Sequence, residues 1–143
     1  MLRRAFDQLG LDTSLQFVKD GEQAIAYLAG QGAFANRDEY PLPDLLLLDL
    51  KMPRKSGFEV LEWLQNQPTL ATIRTVVLTT SEDIYEINRA YRSGASSFLT
   101  KPINFSEFRD TIHAVYKYWI DMNRTPEVSR PDAVRGSVRL PLK

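Results

Sequence analysis

Hydrophobic positions along this chain follow two periodicities that alternate with each other. Short runs rich in apolar residues, of the kind that form strands, occur at 14–18, 45–48, 75–79 and 97–100. The stretches between them carry apolar residues at helical spacing. Strands that alternate with helices predict an α/β fold, a doubly wound parallel sheet with right-handed crossovers and helices on both faces.

Capping residues mark the ends of the predicted helices. A helix at 2–9 should stop at Gly10, and one that starts near Glu82 should end before Gly94. Three further helices open on a capping residue that is followed three positions later by Glu or Gln. These pairs are Asp20 with Gln23, Ser56 with Glu59, and Asn104 with Glu107. We expect the last helix to end near Asp121.

Two segments lack either periodicity. Residues 30–43 contain several glycine and proline breakers, which predicts a long surface loop. Residues 123–143 contain three prolines, five basic residues and two acidic ones, which favours a disordered tail. A tail of this length is too short for a DNA-binding domain. The predicted domain therefore covers residues 1–122.

Composition narrows the classes of function. The 143 residues fit one domain, and 18 basic against 18 acidic residues give no bulk attraction to nucleic acid or membrane. The absence of cysteine excludes disulfides and thiolate metal sites. No apolar stretch approaches the roughly 18 residues of a membrane span. We expect a soluble cytoplasmic domain.

Polar groups follow the ends of three predicted strands. Asp49 comes directly after four leucines, Thr79 ends the next strand, and Lys101 follows the last strand, directly before Pro102. Parallel neighbouring strands would bring these groups to one edge of the sheet. A carboxylate, a hydroxyl and an ammonium together suit an aspartate that accepts a phosphoryl group, because the work is mainly positioning and charge neutralisation.

The chain resembles the receiver domains of two-component response regulators. The resemblance rests on Asp49 in LLLLDLKMP, Gly57 in RKSGFEVL, Thr79 in VVLTTS, and the run SGASSFLTKP that ends in Lys101 and Pro102. It implies that Asp49 is the phosphoacceptor, Thr79 and Phe98 are the switch residues, and Lys101 contacts the phosphate. It also implies a flavodoxin-like strand order 2-1-3-4-5 and a cis peptide before Pro102.

Within the family, the chain is similar to stand-alone receivers that partner phytochrome-type histidine kinases of cyanobacteria. The similarity lies in the long loop before the Asp49 strand, the run 79–81 and the Tyr118-Trp119 end of the last helix. The implied partners are such a kinase and a second copy bound through the last two helices and strand. Direct DNA binding and membrane binding are not implied.

The chain departs from the receiver pattern at its start. Receivers begin with a strand that ends in acids holding Mg²⁺, and the first acid here, Asp7, already lies in the predicted helix. Asp49 and the backbone carbonyl of Lys51 would supply two ligands, so we expect weak Mg²⁺ binding. The missing strand would be the central one, which predicts a gap in the sheet. We therefore hypothesise that Met1 is an internal methionine of a longer natural protein.

Two other functions compete with a phosphorylated switch. A haloacid dehalogenase-type phosphatase also uses Asp, a hydroxyl and Lys on a parallel sheet, but it needs a second Asp at the position where Lys51 stands. An enzyme is therefore not expected. A pseudo-receiver that binds partners without phosphorylation stays open because the upstream acids are absent.

Overall fold

The computed structural model describes residues 2–11, 14–51, 54–124 and 138–141, the last range as backbone only. Its helices and strands alternate along the chain as the hydrophobic pattern predicts. In chain order they are α1 (Leu2–Leu9), β1 (Leu15–Val18), α2 (Gly21–Ala29), β2 (Leu45–Leu48), α3 (Gly57–Gln65), β3 (Arg74–Thr79), α4 (Ile84–Arg92), β4 (Ser97–Thr100), α5 (Phe105–Tyr116) and β5 (Val138–Pro141). A 3-10 turn covers Gly32–Phe34, and a π-helix over Lys117–Met122 extends α5.

The five strands form one parallel sheet in the order β1-β5-β2-β3-β4. This confirms the doubly wound α/β fold. The predicted gap beside β2 is wrong, because Val138–Pro141 lies between β1 and β2 and pairs with both. A parallel strand satisfies backbone N–H and C=O groups that would otherwise stay unpaired in the middle of the sheet.

The predicted tail therefore contains a strand at 138–141. The remainder of that prediction, at 125–137 and 142–143, lies outside the described residues. The domain boundary at residue 122 stays a prediction.

Local capping explains where the helices begin. The carboxylate of Asp20 accepts a hydrogen bond from the Gln23 N–H at 2.8 Å, and the other two predicted capping pairs are formed at 3.3 and 3.2 Å. The fourth helix is capped by Asp83, one residue after the predicted start at Glu82. Side-chain oxygens thus satisfy N–H groups that have no partner within the helix.

The four leucines of β2 are buried on both faces of the sheet. Leu46 and Leu48 pack with α2 and α3, whereas Leu45 and Leu47 pack with α1 and α5. All four are at most 2% exposed. Because strand side chains alternate between faces, a run without polar residues is what a strand covered on both sides requires.

The predicted surface loop at 30–43 is packed onto α2. The Arg37 guanidinium donates hydrogen bonds to the carbonyls of Tyr27 and Leu28 at 2.7 Å each and to that of Tyr40 at 3.2 Å. The rings of Tyr27, Phe34 and Tyr40 lie 5.2–5.8 Å apart between centroids. Burial lowers the pKa of the Arg37 guanidinium, and the carbonyls at the end of α2 gain a cationic donor.

The π-helix changes which residues α5 buries. Ile120, five positions after Val115, is 8% exposed, while Tyr118 is 51% exposed. Trp119 is only partly buried and meets Tyr118 edge to face. His113 is exposed. No helix in the described ranges is both long and apolar enough to cross a membrane.

Candidate functional site

Asp49 lies one residue beyond β2 and is held by two donors. Its Oδ2 accepts from the Lys101 ammonium, with Nζ at 3.0 Å, and its Oδ1 accepts from the Lys51 N–H at 2.9 Å. The Asp49 side chain is 9% exposed and that of Lys101 is 28% exposed. A carboxylate this buried requires such partners, because its desolvation would otherwise cost several kcal/mol.

Strand pairing brings Lys101 to Asp49. Thr79 and Thr100 are opposite each other in the β3–β4 pair, and the Lys101 N–H donates to the Thr79 carbonyl at 2.6 Å. The expected cis peptide before Pro102 is absent, since the described backbone contains no cis bond. Cis and trans forms before proline differ by only about 0.5–1 kcal/mol, so a family tendency does not fix this bond.

Thr79 ends β3 and is 1% exposed. Its hydroxyl has no hydrogen-bond partner among the described residues. Such an unpaired buried hydroxyl costs about 1–3 kcal/mol. The hydroxyl of Thr75, at the other end of the same strand, is also buried and without a described partner.

Gly57 permits a close contact with the backbone at Asp49 and Leu50. A Cβ at this position would lie 2.5 Å from the Asp49 carbonyl oxygen and 2.7 Å from Leu50 Cα. The Gly57 N–H donates to the Leu50 carbonyl at 3.0 Å. A glycine is therefore required here for steric reasons, because any other residue would push α3 away from the end of β2.

A second contact holds the loop after Asp49, and it was not predicted from the sequence. Arg54 has a left-handed φ of 68°, and its Nε lies 3.6 Å from Oδ2 of the buried Asp20. The adjacent Lys55 carbonyl lies so close to Gly21 that a Cβ there would come within 2.0 Å. No short-range signal predicts this ion pair, because its members lie on different loops and Arg is uncommon at positive φ.

The other predicted switch residue, Phe98, lies on β4. It is partly buried and packs against the core cluster that contains Val77 and Ala90. Two residues after Thr79, the Ser81 hydroxyl donates to Glu86 Oε1 of α4 at 2.5 Å. This bond was not predicted from the sequence.

The described residues offer few ligands for a Mg²⁺ ion. Mg²⁺ takes octahedral oxygen coordination, usually with one or two carboxylates. Within ranges 2–11, 14–51 and 54–124, no three His, Cys, Asp or Glu side chains lie close enough together to hold a metal ion. Both Asp49 oxygens already accept hydrogen bonds, and Lys51 contributes its N–H to this network. The predicted metal role of the Lys51 carbonyl stays a prediction.

An acidic residue, a buried hydroxyl and a lysine at the carboxyl edge of a parallel sheet match the arrangement expected for a class of signalling domain, the receiver domain. The response regulator receiver domain model matches residues 1–113. The chain belongs to this family, whose members serve two-component systems and receive phosphoryl groups from histidine kinases. Receiver domains generally bind Mg²⁺, and those that stand alone are generally not enzymes.

Two relatives show how closely the chain matches known members. FilR2 of Methanothrix harundinacea, a probable methanogenesis regulatory protein, is 35% identical over 129 residues, which span 88% of this chain and 79% of that protein. Response regulator Rcp1 of Synechocystis is 34% identical over 116 residues, spanning 81% and 77%.

Crystal structures of two relatives superpose on the fold. The Mn²⁺-bound form of Rcp1 has a TM-score of 0.78 at 31% identity and covers 88% of this chain and 91% of its own. Response regulator RPA3017, in red light signalling of R. palustris, has a TM-score of 0.84 at 33% identity, with 89% of each chain covered. These matches confirm the flavodoxin-like receiver fold.

Proposed function

We propose that this protein is a single-domain response regulator whose Asp49 accepts a phosphoryl group from a histidine kinase in a phosphorelay. The observation that carries the proposal is the contact between Asp49 Oδ2 and Lys101 Nζ at 3.0 Å, together with the unpartnered Thr79 hydroxyl. A buried hydroxyl without an acceptor suits a site that gains anionic oxygens in a second state.

The transfer is a substitution at phosphorus. A carboxylate oxygen of Asp49 forms the new P–O bond while the P–N bond of the kinase phosphohistidine breaks, and the imidazole leaves with the electron pair of that bond. Lys101 offsets negative charge on the phosphoryl oxygens as a compact cation. The Lys51 N–H holds the carboxylate in place.

Phosphorylation then changes the surface through two residues. The aspartyl phosphate carries about two units of negative charge, about one more than the carboxylate it replaces, and adds acceptor oxygens. The Thr79 hydroxyl donates a hydrogen bond to one of these oxygens, and Thr79 moves towards Asp49. The half-buried ring of Phe98 follows into the space that Thr79 leaves. The face made by α4, β4 and α5 thereby changes its affinity for partners.

We propose that Mg²⁺ binds weakly at this site and that phosphorylation is correspondingly slow. The support is that no three His, Cys, Asp or Glu side chains among the described residues lie close enough together to hold a metal ion. Rcp1 was crystallised with Mn²⁺, so a divalent ion is accepted within the family.

The proposed partners are a histidine kinase and a second copy of the chain. A phytochrome-type kinase is favoured by the role of RPA3017 in red light signalling. The exposed Tyr85, Tyr118 and Met122, at 80%, 51% and 64% exposure, supply apolar area for a homodimer through α4, β4 and α5. We propose a cytoplasmic binding switch that neither contacts DNA directly nor acts as an enzyme.

The test is phosphorylation by acetyl phosphate with and without Mg²⁺, followed by intact mass. We expect a single added phosphoryl group that is stable in acid and labile in base. It should be lost in Asp49→Asn and kept in Asp121→Asn, which changes an exposed aspartate far along the chain. Phosphate found equally on Asp49→Asn would contradict the proposal.

A pseudo-receiver is the second candidate, favoured because the described residues contain no group of three His, Cys, Asp or Glu side chains that could hold a metal ion. It predicts no phosphoryl group under any condition, while the same partner is bound by the wild type and by Asp49→Asn.

A further inference from the structure

The loop that follows Thr79 is fastened to the first turns of α4. The Ser81 hydroxyl donates to Glu86 Oε1 at 2.5 Å and accepts from the Asp83 N–H at 3.2 Å. The carboxylate of Asp83 in turn accepts from the Tyr85 N–H at 2.9 Å. Ser81 therefore uses its hydroxyl both as donor and as acceptor, and each bond joins the loop to the start of α4.

This attachment constrains the residue proposed to respond to phosphate. Ser81 lies two positions after Thr79, so a movement of Thr79 towards Asp49 carries the Thr80–Ser81 backbone with it. Either the Ser81–Glu86 bond must then break or the start of α4 must move along. A hydroxyl-to-carboxylate bond is charge-assisted and stronger than a neutral one. Both side chains are partly buried, which limits competition from water.

We propose that the Ser81–Glu86 hydrogen bond is a latch that holds the β3–α4 loop in its resting position. Ser81 and Glu86 are positioning residues, since they act on Thr79 through the loop. The latch opposes switching in the unphosphorylated protein and lowers the population of the responding conformation. This inference rests on the proposed function, because it assumes that Thr79 moves when Asp49 is phosphorylated.

Conservative and disruptive variants separate the latch from general packing. Ser81→Ala removes the donor and Glu86→Ala removes the acceptor, whereas Ser81→Thr and Glu86→Gln keep a hydroxyl and an accepting oxygen. Glu82→Ala is the matched control, because it deletes an exposed acid of the same loop. Thermal unfolding of each variant verifies that the domain is folded.

Amide hydrogen exchange across residues 80–87 measures the latch without any phosphorylation. Losing a charge-assisted hydrogen bond that is partly buried should speed exchange in this segment about five- to tenfold. The two disruptive variants should show it, and the double variant should add little to either. Ser81→Thr and Glu82→Ala should exchange like the wild type, whereas Glu86→Gln, which keeps an acceptor but loses the charge, should lie between the wild type and the disruptive variants. Equal exchange in all variants would overturn the latch.

Phosphorylation measures the effect of the latch on switching. With acetyl phosphate, the disruptive variants should be phosphorylated several-fold faster, and the Phe98 amide resonance of their unphosphorylated form should shift towards its phosphorylated position. If the wild type takes phosphate and the disruptive variants show the same rates and resonance positions as the wild type, the coupling is refuted. A wild type that takes no phosphate would refute the proposed function, and the exchange experiment would still decide whether the latch exists.

Discussion

Thr75 and Thr79 offer a matched pair of substitutions on one strand. Both side chains lie on the same face of β3, since they are four residues apart, and both residues are 1% exposed. Neither hydroxyl has a hydrogen-bond partner among the described residues. Only Thr79 ends the strand beside Asp49. Replacement by valine removes the hydroxyl at each site and keeps the branched shape.

The stability effect should have the same sign at both sites. A buried hydroxyl without a partner costs about 1–3 kcal/mol, and a methyl group in its place removes that cost. Thr75→Val and Thr79→Val should each raise the free energy of unfolding by about 1 kcal/mol or more, which corresponds to roughly 2–6 °C in Tm for a domain of this size. The Ser96 contacts to the backbone of Thr75, at 2.8 and 3.1 Å, stay intact.

The functional effect should differ between the two variants. After phosphorylation of Asp49, Thr75→Val should show the wild-type change at the Phe98 amide resonance, whereas Thr79→Val should show little change. Urea unfolding and amide spectra with and without acetyl phosphate measure the two effects. A loss of stability in Thr79→Val alone would show that its hydroxyl is already bonded at rest. A full response of phosphorylated Thr79→Val would refute the assigned switch.

Three further substitutions test the supports of the site. Lys101→Met should lower the free energy of unfolding by about 1–3 kcal/mol in urea denaturation, because the buried Asp49 carboxylate loses its cationic partner. The partial exposure of Lys101 favours the lower end of this range. Gly57→Ala should lower the free energy of unfolding by about 1–3 kcal/mol, because the new Cβ would lie 2.5 Å from a carbonyl oxygen. An unchanged Tm would contradict this steric argument. Arg37→Met should lower the free energy of unfolding by about 2–4 kcal/mol, because three hydrogen bonds are lost, and should speed amide exchange in the 30–43 loop. Unchanged exchange would show that the loop is held independently of Arg37.

Local signals made most of the fold predictable. The four leucines before Asp49 were sufficient to predict a strand buried on both faces, and the three capping pairs predicted the helix starts within a residue or two. The strand ends also predicted the meeting of Asp49 with Lys101, because parallel strands direct their carboxyl ends to one edge. Each inference uses neighbours in sequence or the regular geometry of a sheet.

The central strand was missed because its sequence carries a weak strand signal. Val138–Pro141 joins β1 and β2 through backbone groups, and a four-residue segment with a terminal proline carries a weak strand signal. The Arg54–Asp20 and Ser81–Glu86 contacts were missed for a related reason. Their geometry depends on how two loops or a loop and a helix meet, which no periodicity encodes.

The resting site is asymmetric in how its polar groups are satisfied. Asp49 has a donor on each oxygen, while the Thr79 hydroxyl has no described partner. On the proposed function, phosphorylation supplies acceptors to Thr79, and a hydrogen bond to a charged group contributes about 1.5–3 kcal/mol. The Ser81–Glu86 latch opposes the same movement. Because both side chains are partly exposed, its contribution to the free energy is about 1 kcal/mol. The difference, on the order of 1 kcal/mol, shifts the population about fivefold, since 1.4 kcal/mol is tenfold. A switch with so narrow a margin responds to phosphate because of Thr79 and is tuned by Ser81 and Glu86.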